Sequence, residues 1–256
     1  AEYRNHRSEV DKALPETVNK ELKAIAAAGR LAIADGRIAR LPWKKITYAV
    51  DLTGHQAWSY MKVEETIKLL NFLRYGGKVT VKWGAGVRTR NIGPNPKLWA
   101  ITTFLLNSGA RKGEMYALRW RDVDMRNKVV RLIGTKLAKL GKPAEPRYIP
   151  MNEDLIELFT LLPRGNDKDV VFPNDHNLNN DLSRALRYVG LPHFRVHDLR
   201  FTFASHLAMA GTPLYHISKL LGHKNESMSR RYAHLCPQTL ANAVGTLRFS
   251  KPDSVV

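Results

Sequence analysis

The chain has 256 residues with 41 Lys+Arg against 23 Asp+Glu, a formal net charge of +18, and 44% hydrophobic residues. That length and apolar content suffice for one or two domains with a real core. A single cysteine, Cys236, excludes an internal disulfide or a cysteine-built zinc site, and with no signal peptide and no long apolar run the reading is a protein of the reducing cytoplasm. A charge this positive favours polyanionic partners. Between Thr66 and Gly113 there is no Asp or Glu, while Lys78, Lys82, Arg88 and Arg90 are basic; a second basic stretch runs from Arg131 to Arg147 and includes Lys139 and Lys142. These cations alternate with Gly, Thr and apolar residues instead of lining one amphipathic helix. The pattern points to a folded surface gripping phosphates, and so to nucleic acid over a membrane.

In chain order, Val18, Leu22, Ile25 and Ile33 predict a helix over Thr17–Asp35 with Gly36 as its cap. Pro42 breaks the pattern, and a connector leads to a domain boundary placed near residue 50. The chain starts at Ala1 with no initiator Met, and is read as a fragment of a longer protein. Ile67, Leu70 and Leu73 predict a helix from Val63 to the Gly76-Gly77 pair, and Lys78–Trp83 alternates as a strand, followed by a basic loop. Pro96 opens a helix running to Ser108, closed by Gly109, and a short helix covers Lys112–Arg119. Val129–Ile133 and Arg147–Met151 form a small antiparallel hairpin. Helices follow over Asp154–Leu161, Leu178–Val189, His197–Ala210 and Pro213–Leu220, with a last one after Pro237. The fold class is mainly α with a small antiparallel β-hairpin sheet, residues 51–256 forming the larger domain.

Six of the nine histidines fall after residue 192. His193-x-x-x-His197 has the spacing of two metal ligands on a helix, but it lacks a third ligand and sits among arginines, so no metal is assigned. His206 and His216 read as packed or surface residues. His197 and Arg200, three apart, share a helix face and can address one anion, the guanidinium offering a planar fork to two phosphate oxygens. Arg111 stands at a turn-to-helix junction in Gly-Ala-Arg-Lys-Gly-Glu, Leu-Gly-His223 supplies another histidine, and Tyr232 follows nine residues later.

Arg111 in Ser-Gly-Ala-Arg-x-Gly-Glu, Thr-Lys136, His197-x-x-Arg200, Leu-Gly-His223 and Arg-Arg-Tyr232-Ala-His, in that order, resemble the motifs of the tyrosine recombinases, the phage-type integrases in particular. The likeness runs from about Trp58 to Leu247, and Val18–Trp43 resembles the end of the core-site DNA-binding domain that precedes the catalytic domain in that family. The resemblance implies site-specific DNA cleavage and rejoining without metal or nucleotide cofactor. Tyr232 would be the nucleophile that forms a 3′-phosphotyrosyl link. Arg111, Arg200 and His223 would stabilise charge on the phosphate oxygens. His197 would act in acid–base chemistry or contact phosphate, and Lys136, with Lys139 as the alternative, would protonate the departing 5′-oxygen. Glu114 would orient active-site groups, or form only an i, i+3 ion pair. Arg147 reads as a hairpin cation or DNA-backbone contact. Phe201 stands where many members carry His. The implied partners are double-stranded DNA sites, further protomers in a tetramer, and accessory or directionality proteins, with the tail beyond Pro237 docking on a neighbour. A type IB topoisomerase-like or telomere-resolving enzyme would use the same residues, and a non-catalytic DNA-binding protein would keep the fold alone.

Overall fold

The structure is a computed structural model that describes residues 2–13, 15–43, 46, 60–83, 86–134, 145–174, 177–223, 225 and 228–236. The chain forms two compact units, Ala1–Trp58 and Ser59–Val256. In the first, helix α1 (Glu2–Asn5) continues into a π-helical turn (His6–Val10), and α2 spans Pro15–Ala34. Arg7 ties the turn to α2, its Nη2 2.7 Å from Glu21 Oε1. Val18, Leu22 and Ala26 are buried along one face of α2, while Ile25 and Ile33, expected on that face, are exposed.

In the second unit α3 (Val63–Tyr75) buries Leu69 and Leu73, and Ile67 faces outward, so the buried stripe is rotated from the one expected. Strand β1 (Gly77–Trp83) pairs antiparallel with β2 (Gly86–Ile92). The basic, Gly- and Pro-containing stretch after β1 predicts a loop where β2 stands. Pairing with β1 supplies what its propensity lacks, and the two strands make a ribbon with Thr80 opposite Thr89 and Val79 opposite Arg90.

Helix α4 (Pro96–Ser108) is the axis of the core. It is apolar on nearly every face, as a helix surrounded by others must be, and it packs against α3, α6 (Glu153–Leu161), α7 (Leu178–Tyr188) and α8 (Val196–Met209). Phe104 sits at the centre, its ring 5.0 Å from Phe172 and 6.0 Å from Phe159. Asn95 caps the helix by accepting the Leu98 N–H. Gly109 ends it at φ +58°, and a Cβ there would fall 2.4 Å from the Phe203 ring, so only glycine lets α4 stop against α8.

After α5 (Lys112–Ala117) and a 3₁₀ turn (Trp120–Asp122) comes a three-stranded sheet in the order β3 (Val123–Asp124), β4 (Val129–Ile133), β5 (Pro146–Pro150). The short β3 adds a strand to the expected hairpin. Val130, Leu132 and Ile149 turn inward. The register sets Leu132 opposite Arg147, which places Arg147 on that same inner face. Helix α9 (Leu214–Leu221) ends at Gly222 in the left-handed conformation, and a last 3₁₀ turn spans Arg230–Leu235. Phe201, Ala204, Ala208, Ile217, Leu221 and Tyr232 form a second, smaller core joining α8, α9 and that turn. The expected helix beyond Pro237, like Lys136, Lys139 and Lys142, lies outside the described residues.

Candidate active site

The C-terminal ends of α4 and α9 meet the first turns of α8 at Arg200. Arg200 on α8 is 3% exposed, and its guanidinium donates to two helix-end carbonyls, Nη1 to Gly109 O at 2.6 Å and Nη2 to Leu221 O at 2.5 Å. Those carbonyls are left without intrahelical partners, so the arginine closes both helix ends while they fix its fork. Among the described residues no carboxylate forms an ion pair with Arg200. Burial, then the charges of Arg111 and Arg147, lower its pKa to about 9, which leaves it charged at neutral pH. A buried cation held by carbonyl dipoles without an anionic partner is a receptor for an anion.

Arg111 stands at the N-cap of α5. Its Nη1 lies 2.8 Å from Glu114 Oε1, and its Nη2 lies 3.5 Å from Gly222 O. Glu114, three residues on, also accepts the Arg111 backbone N–H at 2.7 Å, the carboxylate half of a capping box. The same device starts α3, where Glu65 accepts the Lys62 N–H, and α8, where Asp198 accepts that of Arg195.

Glu114 does more than pair with Arg111. Arg147 reaches it from β5 with both terminal nitrogens, Nη1 to Oε1 at 2.8 Å and Nη2 to Oε2 at 2.7 Å, while its Nε donates to Leu220 O at 2.8 Å. Burial pushes the Glu114 carboxyl up, but the hydrogen bonds and charge of Arg147, then those of Arg111, bring its pKa down to about 2. Arg147 therefore does not project as a hairpin cation: its side chain is 12% exposed and committed to the interior of the site. The sequence signal was present in Arg147-x-Ile149, since an inward isoleucine on a strand carries its second neighbour inward too.

His223 follows Gly222, and its Nδ1 lies 2.8 Å from the hydroxyl of Ser229. Burial, then the charges of Arg200, Arg111, Arg231 and Arg147, lower its pKa to about 4, so the ring is uncharged at neutral pH. Ser229 had no place among the expected site residues. Tyr232 lies in the last 3₁₀ turn, 3% exposed, its ring 6.4 Å from that of Phe201. Burial raises its pKa, against the opposing charges of Arg231 and Arg200, so the resting phenol is protonated. His197, one turn before Arg200, stacks edge-on against Phe201 at 4.9 Å and lines a cleft with Ala110, Lys112, Asn179 and His193. Its pKa is lowered by burial and by Arg200. Phe201 thus neighbours both the His197 ring and the Tyr232 ring. Cys236 Sγ lies 3.8 Å from the Tyr232 carbonyl and is only half-buried.

Of the other expected DNA contacts, Lys78, Arg88 and Arg90 are exposed on the β1–β2 ribbon, and Lys82 belongs to β1. His206 bonds the Met61 carbonyl at 2.8 Å, and His216 is exposed beside Tyr215. Among the described residues no helix is long and apolar enough to cross a membrane.

The sequence model of the phage integrase family matches residues 85–239, which contain all of these site residues except the start of the ribbon. The chain is 30% identical to the integrase of Salmonella phage P22 over 56% of its own length and 40% of that protein. It is 28% identical to tyrosine recombinase XerD of Vibrio cholerae over 55% of its length and 50% of that protein. The chain thus spans about half, or less, of the length of these curated relatives. Among solved structures, the catalytic domain of bacteriophage HP1 integrase superposes with a TM-score of 0.54 at 25% identity, covering 73% of this chain and 94% of that one. The Tn1549 transposon integrase in complex with transposon right end DNA reaches 0.67 at 18% identity, covering 93% and 81%. With its fold, its motif order and more than half its length matched, the chain belongs to the phage integrase family of tyrosine recombinases.

Proposed function

We propose that this chain breaks and rejoins DNA as the catalytic part of a site-specific recombinase, with Tyr232 as nucleophile. The observation that carries the reading is the uncompensated guanidinium of Arg200, held by two helix ends beside Arg111 and His223 and close enough to Tyr232 for its charge to act on the phenol.

A scissile phosphate bound by Arg200 and Arg111 supplies the anion the site lacks. Tyr232 Oη attacks phosphorus, forming the 3′-phosphotyrosyl bond as the bond to the 5′-oxygen breaks. Charge developing on the non-bridging oxygens meets donors already in place, and little reorganisation is needed. The phenolic proton must leave, and His197 is assigned to acid–base chemistry, including help in accepting that proton, or to a phosphate contact; the 5′-oxygen must gain one, the role assigned to Lys136, with Lys139 as alternative. Because the ester bond is exchanged and not hydrolysed, a 5′-hydroxyl from a second strand reverses the step. No metal or nucleotide enters this scheme. Glu114 and Arg147 hold Arg111 and the end of α9 in register and do not react.

Lys78, Lys82, Arg88 and Arg90 on the ribbon, with Lys139 and Lys142, are assigned to the DNA backbone on either side of the cut. Residues 1–50 are assigned to the end of a core-site-binding domain. The partners are duplex attachment or recombination sites, three further protomers and accessory or directionality proteins, acting in the cytoplasm. The cyclic exchange of tails beyond Pro237 is part of the same reading.

The test is covalent trapping on nicked duplexes drawn from candidate attachment sites, comparing wild type with Tyr232→Phe on a denaturing gel. A protein–DNA adduct that maps to Tyr232 and vanishes in the variant supports the reading. Salt-sensitive binding with no adduct from the chain or its full-length parent overturns it. Exchange of flanking sequence between two duplexes separates recombination from simple relaxation.

A further inference from the structure

Ser229 is 1% exposed, yet no resemblance or composition signal assigned it a role. Its hydroxyl lies 2.8 Å from His223 Nδ1. Its backbone carbonyl accepts the N–H of Tyr232 at 3.0 Å. One buried residue therefore holds the His223 imidazole through its side chain and starts the turn that carries Tyr232 through its backbone.

We propose that Ser229 is a positioning residue for the reaction at Tyr232, donating its hydroxyl hydrogen to His223 Nδ1 so that the ring carries its own hydrogen on Nε2. The inference rests on the recombinase reading of the site. A neutral imidazole has one N–H, and the bond made by one ring nitrogen decides which nitrogen bears it. His223 is kept uncharged by its burial and by four surrounding guanidiniums, so it cannot donate from both nitrogens. To donate a hydrogen bond to a phosphate oxygen from Nε2, it must accept one at Nδ1. Ser229 is the residue placed to give it, and its hydroxyl can rotate to do so.

The carbonyl contact sets a second consequence. Rotation of the Ser229 hydroxyl leaves its backbone in place, so loss of the side-chain bond alters the imidazole without unseating Tyr232. Ser229→Ala should then separate the two effects, and Ser229→Thr, which retains the hydroxyl, should restore the first.

The tautomer is read directly in the free, full chain by nitrogen-15 spectra of labelled histidine, in wild type, Ser229→Ala and Ser229→Thr at pH 7. The expected result is an Nε2–H ring in wild type and Ser229→Thr, and a shift toward Nδ1–H in Ser229→Ala. On nicked duplexes carrying candidate attachment sites, adduct formation by Ser229→Ala should be slower by about 10-fold to 100-fold at unchanged DNA affinity, with Ser229→Thr close to wild type. An Nδ1–H ring in wild type, or a Ser229→Ala variant with unchanged tautomer and unchanged adduct rate, overturns the proposal. If wild type forms no adduct at all, the recombinase reading fails, while the spectra still decide the tautomer. A variant that merely loosens the fold would lose DNA affinity and melting temperature together and would not be rescued by threonine alone.

Discussion

Arg147 and Glu114 meet through two parallel hydrogen bonds, Nη1 to Oε1 at 2.8 Å and Nη2 to Oε2 at 2.7 Å, although 33 residues separate them in the chain. This is the bidentate geometry in which a guanidinium binds a carboxylate best, here removed from water. It joins β5 to the start of α5, and the Nε bond to Leu220 joins both to the end of α9.

Breaking that pair leaves a buried charge without its partner. Glu114→Gln should lower stability by about 3–5 kcal/mol, and Arg147→Ala by a similar amount. Because both remove the same contact, the double variant should fall well short of the sum. Urea unfolding of the four proteins checks this, and strict additivity would mean the two residues act independently.

The site also sets the acid limit of the fold. His223 titrates near 4 in the folded chain against about 6.5 when unfolded, and His197 is displaced in the same direction. Glu114 is held near 2 against a usual 4.5. All three have lowered pKa values, so on acidification the unfolded chain takes up protons first and stability is lost as pH falls. The melting temperature should decline in two stages, from about pH 6.5 to 4 through the histidines and below about 4.5 through Glu114. His223→Asn should flatten the first stage; an unchanged slope there would remove His223 from the linkage.

The ribbon supplies a separate test. If Lys78, Arg88 and Arg90 each neutralise a DNA phosphate, replacing all three by alanine should lower the slope of log affinity against log salt by about 3. Binding to different sequences should weaken alike, since phosphate contacts carry no base information. Filter-binding at several salt concentrations measures it. An unchanged slope would show that the ribbon stays clear of the DNA.

Much of this was legible in the sequence, and the losses have physical causes. Helix α4 announced itself through Pro96 and Gly109, because capping is local chemistry. The β4–β5 hairpin showed in the short strand-like segments Val129–Ile133 and Arg147–Met151. Strand β2 was missed since Arg88-Thr89-Arg90 is extended only because β1 lies beside it, a tertiary effect no local window contains. Arg111, Arg200, His223 and Tyr232 stood out by motif, and the charge of Arg200 acts on both His223 and Tyr232. Arg147 and Ser229 did not, for opposite reasons. Arg147 was counted by its charge when its strand parity was the better guide, and Ser229 is a common residue whose importance comes wholly from the atom it faces.

Strand parity reaches further than that one residue. Arg147 faces the site because Leu132 stands opposite it in the ladder. A slip of a single residue between β4 and β5 would turn Arg147 to solvent, send Pro146 and Tyr148 inward, and leave Glu114 without its strongest partner. Changes in the length of the segment joining these strands are therefore compatible with the chemistry only if they preserve that pairing. The alignment of two short strands is itself a component of the candidate site.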